Sequence, residues 1–262
     1  MATIETLITT MNLDSYDSLL KKMNVTGNYI IGNQCDKNEI ITSEKGEIVS
    51  STLRGVGKNR NGIIERASAD ICILADDDLV FSDNYEKIAI NAFEKHPKAD
   101  VIIFNFIEKS EGRREVKKAK KIGYLNYMNY GAARIAFRRK SVLYKGISFN
   151  LSFGGGAIHG AGEDSLFLRD CIKKGLNVIA VPDALAYLTE SRESTWFKGY
   201  NDKYFYDKGA FFGVAHPKMG KLLLFLLILK HKNERKDKKF AYCLKKAYEG
   251  FNYVKKGKFR QI

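Results

Sequence analysis

The sequence predicts an α/β fold: a mainly parallel sheet with flanking helices, followed by a short C-terminal helical segment. Three observations carry this. Strand-like and helix-like stretches alternate through the first half of the chain. The runs Ile71-Cys72-Ile73-Leu74-Ala75 and Val101-Ile102-Ile103-Phe104 are continuously apolar. That is the pattern of parallel strands buried on both faces. Basic residues crowd the last part of the chain, where the alternation has ended.

Taken in order, Ala2–Thr10 reads as a strand, with Ile4, Leu7 and Ile8 apolar. Asn12 or Asp14 can cap a helix running to about Met23. Tyr29–Gly32 and Glu47–Ser50 are two short strands, and Asn59–Ala67 is a helix with Ile63 and Ile64 on its apolar face. Asp70 opens the buried run Ile71–Ala75. Asp83 begins the next helix, with Glu86 three residues later as in a capping box. That helix ends near His96-Pro97, and Val101–Phe104 is the following strand. Glu108–Lys121 is charged and predicts an exposed excursion. The stretch Gly123–Phe153 is aromatic-rich and has no clear period. Glu163-Asp164 opens a helix to about Lys174, stopped by Gly175, and Val178–Val181 is a further strand. No internal repeat or low-complexity linker interrupts the chain.

The chain has 262 residues, enough for one large domain or two small ones. At 45% apolar and 28% charged it can bury a core, which excludes wholesale disorder. Its four cysteines are scattered and form no Cys-x-x-Cys pair. A thiolate zinc site or disulfide framework is therefore not expected, and reduced buried thiols of a cytosolic protein are. The N-terminus shows no basic-then-apolar signal segment. No apolar run reaches the ~18 residues of a spanning helix. The net charge is +14, and residues 217–262 hold fourteen Lys or Arg against three acids. We therefore expect a nearly neutral body over residues 1–215 and a basic, apolar helical segment over residues 216–262.

Asp76-Asp77-Asp78 directly follows the buried run ending at Ala75. Ligands of open α/β sheets bind outside the carboxyl ends of the strands. Three adjacent carboxylates repel one another unless something compensates. A hard cation such as Mg²⁺ or Mn²⁺ does so, accepting one or two carboxylates together with phosphate oxygens. The plainer alternative is a solvated turn that caps a helix, but Asp83 already stands where that cap is expected.

The run Arg54-Gly55-Val56-Gly57-Lys58-Asn59-Arg60-Asn61-Gly62-Ile63, then Ala67-Ser68-Ala69-Asp70, then Ile71 to Asp78, resembles the GT-A glycosyltransferases of family two. In that family a Lys-or-Ala-x-Arg-Asn segment leads a helix, and a strand ends in an Asp-x-Asp motif. The resemblance extends over roughly Ala2–Trp196 and is strongest over Arg54–Asp78. It implies a Rossmann-like GT-A fold and a metal-dependent, inverting enzyme. Such an enzyme moves a sugar from a nucleotide donor, here a UDP-sugar, with Mn²⁺ or Mg²⁺ as cofactor.

The resemblance also implies roles. Thr10 and Met11 would line the nucleoside pocket at the end of the first strand. Asp36, in Gly32-Asn33-Gln34-Cys35-Asp36, would accept the imide N–H of uracil; the plainer alternative is a loop Asx-turn. Arg60 would stand near the base and the acidic loop, its fork pairing with a carboxylate or phosphate. A salt bridge to Asp70 or Glu65 is the alternative. Asp76 would contact ribose and Asp78 the metal, with Asp76 a further candidate ligand; Asp77 can share either role. Gly160-Ala161-Gly162-Glu163-Asp164 resembles the acceptor-side Glu-Asp motif. Asp164 would then be the general base and Glu163 would orient or bind the acceptor. The alternative is that both acids only complement the helix dipole. His159 and His216 are candidate third metal ligands, though a lone histidine is more often structural. Gly154–Gly162 lacks the Gly-Lys-Ser/Thr of a P-loop and would let backbone approach the donor sugar. Arg192 could reach the diphosphate, and Trp196 could stack on a sugar, sit in the core or meet a membrane interface.

Lys221 and Lys230 bracket the eight apolar residues Leu222–Leu229. That run makes about 12 Å of helix, too short to cross a ~30 Å hydrocarbon core. It can dip into an interface, with lysines meeting anionic lipid. The expected partners are thus the nucleotide-sugar donor, a glycan or lipid-linked acceptor and an anionic membrane surface, not nucleic acid. The expected location is cytoplasmic, peripheral on the inner face of a bacterial cell membrane, in surface-polysaccharide assembly. Packing on the chain's own domain or a homodimer contact is the alternative for this segment. Two rival functions remain: a sugar nucleotidyltransferase, whose glycine-rich basic first loop Ile8–Asn12 lacks, and a basic membrane- or nucleic-acid-binding adaptor. The adaptor leaves Asp76–Asp78 and Glu163-Asp164 unexplained.

Overall fold

The computed structural model describes residues 2–107, 115–189, 199–235 and 237–255. β1 (Ile4–Met11) is buried along all but its last residue. α1 (Tyr16–Lys22) follows, capped by Ser15, whose side chain accepts the Ser18 N–H. Neither Asn12 nor Asp14 supplies that cap. Asn12 is left-handed at φ 50° and donates its N–H to the Gln34 carbonyl, so it closes the strand end instead. β2 (Asn28–Gln34), β3 (Glu39–Thr42) and β4 (Gly46–Ser51) come next. β3 was not expected. It is an exposed edge strand, antiparallel to β4, with no buried face to impose an apolar pattern.

α2 (Val56–Arg66) starts three residues earlier than the sequence suggests, at Gly55, whose φ of 119° suits glycine. β5 (Ile71–Asp76) takes in the first residue of the aspartate triplet. β6 (Leu79–Phe81) is short and pairs with a distant strand. α3 (Tyr85–Lys95) is entered through a left-handed Asn84, φ 60°, without a side-chain cap. Asp83 is therefore not its cap; the Asp83 carboxylate accepts from Asn24 Nδ2. β7 (Val101–Phe106) and β8 (Lys120–Lys121) flank residues 108–114, which lie outside the described residues, with the first half of the expected excursion. The uncertain stretch Gly123–Phe153 contains β9 (Ile135–Arg138) and α4 (Arg139–Tyr144). α5 (Glu163–Lys173) ends before Gly175, φ 82°, and β10 (Val178–Leu188) is more than twice the expected length. α6 (Asp202–Ala215), α7 (Gly220–Lys230), α8 (Lys232–Arg235) and α9 (Phe240–Tyr253) are the last elements among the described residues.

The described chain packs as two units, Met1–Phe149 with Asp164–Ser191, and Asn150–Glu163 with Arg192–Ile262. The first holds the sheet, in the order β3-β4-β2-β1-β5-β9-β7-β10-β6, with β8 on β10. β4, β2, β1 and β5 are successive parallel neighbours, as are β7 and β10. β9 lies antiparallel between β5 and β7. Ile8, Ile31, Ile73, Ile102 and Phe104 belong to the core under this sheet. In the second unit, α6 and α9 touch backbone to backbone. A Cβ at Gly209 would lie 1.8 Å from the Ala247 carbonyl oxygen, and one at Gly250 would lie 2.0 Å from that of Tyr206. These two glycines are there because the helices could not otherwise approach so closely.

Candidate active site

β1 and β5 run parallel and end together, with Thr9 opposite Asp76. The Thr9 hydroxyl donates to Asp76 Oδ1 at 2.8 Å, and the Thr10 hydroxyl donates to Asp77 Oδ2 at 2.6 Å. Asp78 stands in the turn before β6. Its carbonyl accepts both the N–H and the hydroxyl of Thr189, at 2.9 and 2.8 Å. Asp76 finishes the strand, while Asp77 and Asp78 form the turn.

The segment Asn59-Arg60-Asn61 divides three tasks between three side chains. Asn59 Nδ2 donates to the Gly32 carbonyl at 2.7 Å, tying α2 to β2. Gly32 must lack a side chain there, since a Cβ would lie 1.9 Å from Asn59 Oδ1. Asn61 exchanges two hydrogen bonds with the backbone of Phe149, at 3.0 and 2.8 Å. Phe149 in turn stacks on Phe167 at 4.4 Å between ring centroids and lies 5.1 Å beneath the Arg60 guanidinium. Held on that ring, Arg60 is only 5% exposed. One Nη donates to Asp76 Oδ1 at 2.9 Å and the other to Asp164 Oδ1 at 2.8 Å. A rigid planar fork suits this double pairing; a lysine ammonium does not.

Asp164 sits in the first turn of α5. A helix-dipole role alone would not need an arginine from a helix 104 residues away. Its Oδ2 faces Gly131, where an added Cβ would approach to 3.4 Å. Glu163, the first residue of α5, is buried and belongs to the second packing unit. Of the expected ionic partners of Arg60, Asp70 is instead bonded to the Thr3 N–H and hydroxyl.

On the other side of β1 the strand ends are more open. Met11 is exposed, paired in register with Gln34. Thr10 is buried and committed to Asp77. Asn33 is also committed: its Oδ1 accepts the Leu13 N–H and its Nδ2 donates to the Ser50 hydroxyl. Gln34 Oε1 accepts the Gly55 N–H at 2.7 Å. The Asp36 side chain is 96% exposed and ion-paired to Arg54. Thr9, Phe149 and Thr189 were given no role from the sequence, and Asn61 stood there only as part of the Arg-Asn motif. Only Thr9 carried a readable signal, since two parallel strands ending side by side would place it against the first aspartate.

The second unit gives both candidate histidines positions of their own. His159 is buried, stacked 4.7 Å from Phe153, and its Nδ1 lies 2.8 Å from Asp207 Oδ1. His216 follows α6 and lies 5.9 Å from the Phe212 ring. The glycine run closes on itself: the Gly154 N–H bonds the His159 carbonyl and the His159 N–H bonds that of Ser152. Gly162, at φ 114°, leaves room for Phe211, which a Cβ would meet at 2.7 Å. Arg192 and Trp196 lie outside the described residues.

Burial pushes the Asp207 carboxyl up, but hydrogen bonds from His159, Lys203 and the Gly160 N–H outweigh it and hold it below the usual range. A carboxyl lower in the folded than in the unfolded state adds stability above its unfolded pKa of about 4, and that stability is lost as pH falls through the folded value. Asp207→Asn should therefore flatten the fall in melting temperature below about pH 4. Melting curves from neutral to acid pH check this, and an unchanged slope would contradict it.

Among the described residues, no group of three or more His, Cys, Asp or Glu converges into a cage for a metal. The donor set at the end of β5 nevertheless fits a hard cation. Its oxygens are carboxylates, and Mg²⁺ needs only one or two of them when phosphate and water complete the shell. Asp76 and Asp78 would hold such an ion.

Residues 39–158 match the family model "Glycosyl transferase family 2". The matched stretch contains Asn59-Arg60-Asn61 and Asp76–Asp78. The fold is similar to that of S. aureus TarS, residues 1–349, with a TM-score of 0.57 at 14% identity, covering 96% of this chain and 72% of that one. The same TarS segment in complex with UDP-GlcNAc gives 0.59 at 14% identity, covering 96% and 73%. A further TarS structure gives 0.56 at 15% identity, covering 95% and 43%. No curated protein matches the sequence. The matched segment, with its arginine and aspartates assembled on a GT-A sheet, is similar to glycosyl transferase family 2 and supports a glycosyltransferase.

Proposed function

We propose that the chain transfers a sugar from a UDP-sugar to a hydroxyl of a glycan or lipid-linked acceptor, with inversion at the anomeric carbon, in surface-polysaccharide assembly. The observation that carries this is the Arg60 fork, which holds a strand-end carboxylate and a helix-start carboxylate on one buried cation. The UDP-GlcNAc and UDP complexes of TarS support a uridine nucleotide as the donor.

Asp76 and its neighbours receive the donor. Met11 and Asp36 lie toward the nucleoside, and Asp76 lies toward ribose. Asp164 is the base: it takes the proton from the acceptor hydroxyl as that oxygen bonds to the anomeric carbon. The bond from that carbon to the diphosphate breaks, and UDP leaves with the electron pair. Asp78 and Asp76 would hold a divalent cation, which would supply charge stabilisation for the leaving diphosphate. Arg60 keeps Asp76 and Asp164 from repelling each other, and so fixes the distance between donor and base. Glu163 orients the acceptor.

The test is calorimetric titration of UDP into the full chain, with and without Mn²⁺. Binding should require the metal, and Asp78→Ala should weaken it by at least about tenfold, since even residues behind a metal ligand are worth 10- to 100-fold. A folded protein that binds no nucleotide under either condition would sink the donor reading and favour a basic adaptor.

A further inference from the structure

α7 is apolar on every side, yet it is covered on only one. Leu224 and Ile228 are buried, while Leu222, Phe225, Leu226 and Leu229 are exposed. These four are spaced i, i+3, i+4 and i+7, so they form one outward stripe. α9 continues the same face. Phe225 meets Phe240 edge to face at 5.3 Å, and the Tyr248 hydroxyl donates to the Lys221 carbonyl. Phe240 and Tyr248 line a groove of about 440 Å³ with Leu244 and Lys245. Glu249, an acid in that lining, is paired with Lys246 at 3.0 Å. Around the stripe, Lys218, Lys221, Lys230 and Lys232 are exposed. Residues 217–262 carry fourteen basic and three acidic groups.

We propose that the outward face of α7, with the adjoining groove on α9, docks on an anionic lipid bilayer. Among the described residues no helix is long and apolar enough to cross a membrane. A helix of this length lies in the interface instead, its apolar side sunk about 5–10 Å and its lysines at headgroup level. A second basic copy of this chain is a poor cover for the stripe, because it would bring the same lysines together. Anionic headgroups complement them, each lysine being worth roughly fivefold in partition. This inference does not rest on the donor reading.

The test is cosedimentation of the full chain with phosphatidylcholine vesicles, with and without phosphatidylserine. The chain should bind the anionic vesicles only. Leu222→Ser with Leu226→Ser should lower that partition by at least about tenfold. Lys218→Gln with Lys230→Gln should lower it by roughly 25-fold. UDP binding and melting temperature should stay unchanged in both variants, since all four side chains are exposed. Equal binding to neutral vesicles, or a serine variant that binds like the parent, overturns the proposal. So does a parent that is dimeric in solution and becomes monomeric in the serine variant, which would assign the stripe to a second copy.

Discussion

Asp164→Asn should lower the turnover of sugar transfer by about 10²- to 10⁴-fold, the usual worth of a positioned base, while UDP binding stays within about twofold. The substitution is nearly isosteric. The asparagine oxygen can still accept the Arg60 N–H that Asp164 Oδ1 accepts at 2.8 Å. The tie from α2 to α5 therefore survives, and so does the Arg60 contact to Asp76 at 2.9 Å. What is lost is the capacity to take a proton at the oxygen that faces Gly131. The measurement is steady-state transfer with saturating donor, paired with UDP titration. A turnover within a few-fold of the parent would remove Asp164 as base and turn attention to Glu163.

Arg60→Ala should be the most destabilising single change at this site. It leaves Asp76 and Asp164, which are 38% and 26% exposed, without the buried cation between them, and the cost is about 2–3 kcal/mol, below that of stranding a fully buried charge. For a chain of this size that lowers the melting temperature on the order of 10 °C. Arg60→Lys should recover little. An ammonium cannot reach two carboxylates from one fork, and the flat contact over Phe149 at 5.1 Å is lost with the guanidinium. The decisive variant is Arg60→Ala combined with Asp164→Asn. Removing one of the two stranded carboxylates should return on the order of 1 kcal/mol or more, so the double variant is more stable than the two single effects predict. Strict additivity would show that the arginine acts through packing on Phe149 and not as a shared counter-ion.

Some elements are legible because their cause is local. β5 and β7 are buried on both faces, so every residue of Ile71–Ala75 and Val101–Phe104 had to be apolar, and a continuous run announces itself. The aspartates at 76–78 are legible for a related reason: three adjacent charges stand out at the end of such a run. β3, β6 and β9 escape because a strand of three or four residues exists only through its partner. β9 in particular is a strand because β5 and β7 both accept it. The strand end at Asn12 and the helix entry at Asn84 escape because both residues are left-handed, where asparagine is tolerated and gives no capping signal.

By itself, then, the sequence determined the α/β class, the three carboxylates at the end of a central strand, the acidic start of a later helix and the basic, apolar end of the chain. Each is a property of neighbouring residues. The tertiary structure alone decided that Arg60 joins Asp76 to Asp164, that Thr9 and Thr10 hold the first two aspartates, and that half of α7 is left uncovered. Those outcomes depend on which strand lies beside which and on which helix face is already packed. Contacts between residues far apart in the chain set both, and no local pattern records them.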